Sequence, residues 1–239
     1  MQRIAVDVGN TGTKYGIFEG NDLIKQGYFQ GVENIPVEIT NHTFEHAIVA
    51  SVSADTAAYT SRLSVTGNIV TLSEQTALPV LNKYKTPQTL GVDRIAAAVG
   101  AYYFFPGRNC LVFDAGTAIT HEFITSDGSY MGGGIALGLR MKLKALHTFT
   151  QRLPLVDQIP DNFPVTGQTT QESILSGVLA GTVAELNGFI QLYSEKAPDL
   201  VVILCGGDAG FFESKLKGRI FVIPELVLIG LHRILTYNV

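Results

Sequence analysis

The sequence predicts an α/β protein that contains two copies of one domain, and two patterns in the chain indicate this. Short runs rich in β-branched and aromatic residues alternate with helix-like segments along all 239 residues, which is the order typical of an α/β fold. The opening Ile4–Thr11, an apolar strand ending in Asp-x-Gly and a tight turn, is repeated as Leu111–Ala118. Because a solenoid needs at least three short units, a repeat this long indicates a duplicated domain. We expect domains at 1–107 and 108–239.

The predicted elements follow the same course in both halves. The first half contains strands at Ile4–Val8, Lys14–Phe18, Leu23–Phe29, His46–Val52 and Asn68–Leu72, a helical stretch between the last two, and a helix at Gly91–Phe104. The second half contains strands at Cys110–Ala115, Ile119–Thr125, Ser129–Ala136 and Val201–Leu204, and helices at Leu139–Phe149, Thr170–Tyr193 and after Pro224.

Composition restricts the class of partner. Apolar residues make up 46% of the chain and charged residues 16%, and the net charge of −4 provides no basic footprint for nucleic acid or an anionic membrane. The longest apolar run, Ile95–Phe105, is too short to span a bilayer, and the first residues lack the pattern of a secretion leader. We expect Cys110 and Cys205 to be buried free thiols and the protein to be cytoplasmic. The five scattered histidines predict no zinc site.

Two Asp-x-Gly turns are the first candidate for chemistry. Asp7 and Asp114 each end an apolar strand and precede a Gly and a Thr-containing turn. Gly lets the backbone approach phosphates, turn N–H and hydroxyl groups can donate to them, and a carboxylate suits Mg²⁺ or its water shell. An ordinary hairpin would have the same local pattern, but its occurrence at matching positions of a duplicated chain favours phosphate handling.

Gly91-Val92-Asp93-Arg94 opens the predicted helix of the first half. Asp93 is either a helix cap or a general base that accepts the proton of a substrate hydroxyl, while Arg94 and the helix N-terminus hold an anion. Other nucleotide motifs are excluded. The Gly-dense segment Tyr130–Gly138 has Leu137 where a dinucleotide fingerprint needs Gly, and the chain has no Gly-Lys-Ser or Gly-Lys-Thr. Cys205–Ala209 is a weaker candidate for a nucleotide-facing turn.

Together these motifs resemble the type III pantothenate kinases, members of the actin, sugar-kinase and heat-shock-chaperone superfamily. The resemblance extends from DVGNT (7–11) through Tyr84-x-x-Pro87-x-x-x-GVDR (91–94) and DAGTA (114–118) to GGGIALGLRM (132–141) and the helix start at Thr170. One departure is Ala136-Leu137 where the family usually has Ser-Pro. The resemblance implies two ribonuclease-H-like domains with a central cleft, and ATP-dependent phosphorylation of the primary hydroxyl of pantothenate.

The resemblance also implies the site residues. Asp93 would be the catalytic proton acceptor, and Asp114 would bind a monovalent cation, K⁺ or NH₄⁺. The substrate pocket would be formed by Tyr84, Gly91, Val92, Asp93, Arg94 and Thr170. ATP phosphates would be held by Asp7, Val8, Gly9, Asn10, Thr11, Gly12, Thr13, Lys14 and Thr117, with Asp7 reaching Mg²⁺ indirectly. A homodimer would complete the pocket.

Two alternatives remain open at this point. One is another small-molecule kinase of the same superfamily, acting on a sugar or an acid. The other is an ATP-binding accessory factor for transcription. The GVDR element and the short chain argue against a sugar kinase, and the presence of Asp93 argues against a regulator without enzymatic activity.

Overall fold

The computed structural model describes residues 1–52 and 55–239. The strands of the first half are β1 (Gln2–Val8), β2 (Thr13–Glu19), β3 (Asp22–Phe29), β4 (Thr43–Phe44), β5 (Ala47–Ser51), β6 (Ser64–Val65), β7 (Ile69–Thr71) and β8 (Leu81–Asn82). Its helices are α1 (Val37–Thr40), α2 (Ala57–Thr60) and α3 (Val92–Phe104).

The strands of the second half are β9 (Cys110–Ala115), β10 (Ala118–Ile124), β11 (Ser129–Leu137), β12 (Val201–Cys205) and β13 (Ile220–Val222). Its helices are α4 (Leu139–Thr148), α5 (Thr170–Leu175), α6 (Gly181–Lys196), α7 (Ala209–Glu213) and α8 (Leu226–Asn238). A π turn, Ser176–Ala180, joins α5 to α6. The predicted elements of both halves are therefore confirmed, with ends that differ by a few residues.

The two main sheets repeat one strand order, which confirms the α/β class and the duplication. The first sheet has the order β3-β2-β1-β5-β7, and the second has β11-β10-β9-β12-β13 with β8 added beside β11. In each sheet the first strand of the repeat pairs with a parallel neighbour: β1 pairs with β5, and β9 pairs with β12. The apolar residues of β9 and β12 are buried, as expected for strands covered on both faces.

The chain divides into two compact units. Unit 1 comprises 1–108, 122–132 and 225–239, and unit 2 comprises 109–121 and 133–224. The core of unit 1 is formed around Ile4, Val49 and Phe44, and that of unit 2 around Phe113 and Phe212. Unit 1 includes segments from the second half of the sequence, so the division into units does not test a single boundary near residue 107. The domains 1–107 and 108–239 remain a prediction.

Helix α8 is the last element of the chain and packs within unit 1. Its side chains are buried along most of its length, and a Cβ added at Gly230 would overlap the carbonyl oxygen of Ala96 in α3. The backbones of α3 and α8 can therefore approach this closely only because residue 230 has no side chain. The contact fixes α3, the helix that begins at the GVDR segment.

His232, on α8, is a fully buried imidazole. Its ring stacks on Phe18 with centroids 4.1 Å apart and planes 9° from parallel. Neither ring nitrogen has a hydrogen-bond partner among the described residues. Burial, reinforced by the positive charges of Arg233 and Arg3, lowers the pKa of His232 to about 4. The side chain is therefore neutral at physiological pH.

The described part of the chain contains one helical stretch, Thr170–Lys196, that is long and apolar enough to cross a membrane by length and composition alone. A single stretch of this kind is weak evidence for a membrane span. Leu175, Leu179 and Leu186 from this stretch belong to the core of unit 2, as in the core helix of a soluble domain. The two cysteines, Cys110 and Cys205, are buried and free, as predicted.

Candidate active site

The turn after β1 has the geometry predicted for a phosphate-binding hairpin. Asp7 pairs with Lys14 across the antiparallel strands, and the N–H of Gly9 donates to the carbonyl of Gly12 at 3.0 Å. The hydroxyl of Tyr28, on β3, donates to the carbonyl of Thr11 at 2.9 Å and so stabilises the backbone of the turn. The turn is therefore tight, with exposed backbone and side-chain groups between two fixed strands.

The side chains of this turn point in different directions. Asn10, Thr11 and Lys14 are exposed and half-buried Asp7 lies at the strand end. Thr13 is buried, and its hydroxyl donates to the Tyr59 hydroxyl at 3.3 Å. Among the residues predicted to bind phosphate, Thr13 could therefore contribute through its backbone, because its hydroxyl is engaged in the core.

Asp93 lies in the first turn of α3, where the predicted helix begins. Gly91 is the N-cap, and Oδ1 of half-buried Asp93 accepts the N–H of Arg94 at 2.8 Å. The same N–H also donates to the carbonyl of Gly91 at 3.2 Å, so the Asp93 side chain shares this donor with the backbone of the first turn. The Asp93 carboxylate is thus held in the first turn of α3.

Arg94 belongs to a buried polar network in unit 1. Its Nε and Nη2 donate to the two carboxylate oxygens of Glu122, on β10, at 2.7 and 2.9 Å. The Tyr130 hydroxyl, on β11, donates to Oε2 of Glu122 at 2.5 Å. The guanidinium lies 5.6 Å from the ring centroid of Tyr84, which stacks near Tyr130. The predicted pocket residues Tyr84 and Arg94 are therefore close together.

The pKa values in this network reflect its charges. Burial by itself would lower the pKa of Arg94, but the hydrogen bonds and negative charge of Glu122 outweigh burial and raise it. Burial, together with the charge of Glu122, raises the pKa of Tyr130. Arg94 therefore stays positive, Tyr130 stays neutral and donates its proton, and Glu122 accepts from both.

The second Asp-x-Gly turn lies in unit 2 and repeats the first. The N–H of Gly116 donates to the carbonyl of Ala118 at 3.0 Å, and Thr117 is exposed at the tip. The N–H of Gly138, the N-cap of α4, donates to the carbonyl of Thr117 at 3.1 Å. The Gly-dense segment therefore ends against the turn, with the N-terminus of a ten-residue helix beside Thr117.

Asp114 faces the turn that follows β12. The N–H of Asp208 donates to the carbonyl of Ala115 at 2.8 Å, and β12 pairs Cys205 with Asp114. Gly206 has a φ of 88°, and a Cβ added there would overlap Oδ1 of Asp114 and lie 2.5 Å from the carbonyl oxygen of Ala115. Because residue 206 has no side chain, the Asp114 carboxylate and the Ala115 carbonyl oxygen can both lie close to its backbone.

Those donors suit a hard cation, which prefers oxygen ligands. Among the described residues no cluster of three or more His, Cys, Asp or Glu side chains has the geometry of a transition-metal site. The binding of a monovalent cation at Asp114 remains a prediction.

Thr170 is the first residue of α5, and it is exposed. The cap of this helix is Thr169, whose hydroxyl accepts the N–H of Glu172 at 3.2 Å, while Glu172 accepts the N–H of Gln168 at 2.8 Å. This reciprocal arrangement is a capping box, so the start of α5 is fixed. Thr170 belongs to unit 2 and the other predicted pocket residues belong to unit 1, and its role in the pocket remains a prediction.

Sequence reasoning did not find the contacts of Glu122, Tyr130 and Asp208, although Tyr130 and Asp208 lie in the two Gly-containing segments that it named. Glu122 left one local signal: it is a charged residue within the predicted strand Ile119–Thr125, and such a residue is buried only when paired. The sequence offered no comparable signal for its partners, because Arg94 lies 28 residues away. Asp208, which receives Arg140 Nη1 at 2.6 Å, is 68 residues from its partner.

Residues 3–192 match the family model described as type III pantothenate kinase. The type III pantothenate kinase of Phocaeicola vulgatus is 41% identical over 238 residues, covering 98% of each chain. That of Cytophaga hutchinsonii is 44% identical over 236 residues, covering 99% of each chain. These similarities extend over nearly the whole length of both proteins.

Solved structures agree with the fold. A Campylobacter jejuni protein named as a Baf family transcriptional activator superposes with a TM-score of 0.65 at 20% identity, covering 98% of each chain. The ROK hexokinase of Thermus thermophilus superposes with a TM-score of 0.53 at 12% identity, covering 99% of each chain. At these identities the likeness concerns the fold alone, and it confirms the ribonuclease-H-like fold class of the sugar-kinase superfamily.

Proposed function

Because the chain belongs to the type III pantothenate kinase family, we propose that it transfers the γ-phosphoryl group of ATP to the primary hydroxyl of pantothenate. The product is 4′-phosphopantothenate, and the reaction is the first step of coenzyme A synthesis. The observation that carries this proposal is the GVDR helix start, where the Asp93 carboxylate is held by the N–H of Arg94 at 2.8 Å. The Arg94 guanidinium beside it is fixed by Glu122.

Asp93 acts as the general base of the reaction. It accepts the proton of the primary hydroxyl as the oxygen forms its bond to the γ-phosphorus, and the bond from that phosphorus to the bridging oxygen breaks to release ADP. Phosphoryl transfer depends mainly on positioning and on stabilisation of negative charge, so one carboxylate base is sufficient. The ATP phosphates bind the Asp7–Lys14 turn and Thr117, and Asp7 reaches the Mg²⁺ of MgATP through its water shell.

The substrate pocket is formed by Tyr84, Gly91–Arg94 and Thr170. The aromatic ring of Tyr84 supplies an apolar wall beside the Arg94 guanidinium. We expect pantetheine, which has the same reacting hydroxyl, to be phosphorylated as well.

A monovalent cation, K⁺ or NH₄⁺, binds at Asp114. This assignment is supported by the Asp114 carboxylate and the Ala115 carbonyl oxygen, two oxygen donors that both lie close to Gly206. When bound, the cation supplies positive charge close to the second phosphate-binding turn, where it would offset the negative charge of the nucleotide.

The protein is a cytoplasmic homodimer. Dimerisation is supported by exposed apolar side chains in unit 2, among them Phe149 (85% exposed) and Ile135 (68% exposed), because burying such groups is favourable. Buried free thiols at Cys110 and Cys205 are consistent with a reducing compartment. The net charge of −4 supports neither nucleic acid nor a membrane as a partner.

A coupled ADP-release assay tests the assignment. ADP release by the purified protein with MgATP and potassium should depend on added pantothenate. A panel of sugars and hydroxy acids serves as the control for other activities of the superfamily. A protein that phosphorylates a sugar but ignores pantothenate would refute the proposal, and ATP binding without any turnover would favour a regulator.

A further inference from the structure

The network around Arg94 contains more buried charge than the proposed catalysis explains. Glu122 has no exposed surface, and the Arg94 side chain is 6% exposed. Removing two charges from water is so costly that a buried ion pair is often no more stabilising than an apolar pair of the same size. Stability of the fold is therefore a weak explanation for Glu122, and a role in orienting Arg94 is a stronger one.

Two of the three guanidinium nitrogens of Arg94 donate to Glu122. Nε and Nη2, one edge of the planar guanidinium, donate to Oε1 and Oε2 of Glu122, so that rotation about the last side-chain bonds is prevented. Tyr130 holds Oε2 from the other side. These bonds do not use Nη1, and the Tyr84 side chain, itself a predicted pocket residue, also interacts with the guanidinium.

We propose that Glu122 and Tyr130 are positioning residues for substrate recognition. They fix the Arg94 guanidinium and balance its charge, so that Arg94 binds pantothenate as an oriented hydrogen-bond donor rather than as a free cation. The inference rests on the proposed function, because it takes Arg94 to contact pantothenate. The inference has a consequence for specificity. The Arg94–Glu122 pair has no net charge, so the substrate is recognised by an N–H group of Arg94 that points in a fixed direction and not by charge attraction.

The first experiment compares two Tyr→Phe variants. Tyr130→Phe removes the hydroxyl that holds Glu122 and keeps the ring that stacks near Tyr84. The KM for pantothenate should rise about three- to tenfold, the range expected for one hydrogen bond, while kcat falls less and the KM for ATP is unchanged. The control is Tyr15→Phe, which removes the 2.8 Å hydrogen bond from the Tyr15 hydroxyl to Glu38 and should leave both KM values unchanged.

This split between KM and kcat separates positioning from a purely structural role. Loss of folded protein lowers the apparent kcat but leaves KM unchanged, because KM does not depend on the concentration of active enzyme. An unchanged KM for pantothenate in Tyr130→Phe, or equal rises in the KM values of pantothenate and ATP, would overturn the inference. Glu122→Asp, which keeps the charge but shortens the side chain, should also raise the KM for pantothenate.

A second measurement uses the wild-type protein and tests the balance of charge. If Arg94 acts as an oriented donor, the KM for pantothenate should be nearly independent of ionic strength, because salt screens net charges. A steep rise of this KM with salt would show that Arg94 attracts the substrate as a net cation and would overturn the charge-balancing role. Calorimetric titration with pantothenate, combined with the ADP-release assay, distinguishes failure of this inference from failure of the proposed function. A wild-type protein that neither binds nor phosphorylates pantothenate overturns both.

Discussion

The Asp93 carboxylate combines two possible roles in one side chain, and one substitution separates them. Asp93→Asn retains an oxygen that can accept the N–H of Arg94, so the first turn of α3 should stay intact. The variant cannot take a proton. Turnover should therefore fall by about 10²–10⁴-fold, the usual contribution of a general base, while the melting temperature hardly changes.

The control for Asp93→Asn is Asp93→Ala, which also removes the oxygen that accepts the Arg94 N–H. It should cost about 1 kcal/mol of the free energy of unfolding, the usual net contribution of one hydrogen bond, in addition to the loss of turnover. Steady-state kinetics and thermal unfolding of both variants provide the measurements. Wild-type turnover in Asp93→Asn would end the case for a general base and leave Asp93 with only its hydrogen bond in the first turn of α3, where Gly91 rather than Asp93 is the N-cap.

His232 makes stability depend on pH. Its pKa is about 4 in the folded protein and near 6.5 when unfolded, so the unfolded chain binds the proton more readily. The contribution of the neutral ring is therefore complete above pH 6.5 and is lost as the pH falls towards 4. The loss amounts to at most about 3 kcal/mol, from the free energy of a pKa difference of this size.

His232→Phe tests this because it keeps a ring to stack on Phe18 but cannot be protonated. Urea unfolding as a function of pH should show a shallower acid slope for this variant than for the wild type. His147→Phe, at an exposed position, is the control and should keep the wild-type slope. Identical slopes for all three proteins would contradict the assignment to His232.

At the scale of elements, the loop after β12 links the fold to the cation. Gly206→Ala places a methyl group against the Asp114 carboxylate and forces a non-glycine residue to a φ of 88°. The strained backbone alone should cost about 1–3 kcal/mol, and activation by potassium should be lost or much weakened. The neighbouring Gly207→Ala is the matched control, because no atom lies within 4 Å of its new Cβ.

Activity measured against potassium concentration, with sodium at constant ionic strength, distinguishes the two glycine variants. Gly207→Ala should follow the wild-type activation curve. If Gly206→Ala also follows that curve, the oxygen donors close to Gly206 are not the site of the cation.

Elements could be predicted where the residues that determine them are adjacent in sequence, and could not where those residues are far apart. The Asp7 and Asp114 turns could be predicted because strand, Gly and Thr are adjacent in sequence, and the start of α3 because Gly91 precedes a helical pattern. The Arg94–Glu122–Tyr130 network could not, since the pairing of β10 and β11 with neighbouring elements decides which buried charges meet. The capping of α5 by Thr169 rather than Thr170 depends on backbone angles that two adjacent threonines do not reveal.

At the scale of the whole molecule, the exposed apolar surface of unit 2 predicts self-association. Light scattering should give a mass near twice 25.8 kDa. Phe149→Glu places a charge where we expect the partner subunit and should shift the protein towards monomer with reduced activity. Val37→Glu, at an exposed apolar position on α1 in unit 1, is the control and should remain dimeric. A wild-type protein that is monomeric and fully active would refute the shared pocket.

The packing of α8 in unit 1 has a consequence for biosynthesis. Residues 225–239 leave the ribosome after the first half and after unit 2, yet their helix covers α3 and lies against β1 and β2 of the first half. Until those residues emerge, the nascent first half exposes the apolar groove that Gly230 and its neighbours will fill. We therefore infer that unit 1 reaches its native state only after residues 225–239 have been synthesised, although most of its residues are made before unit 2 is complete.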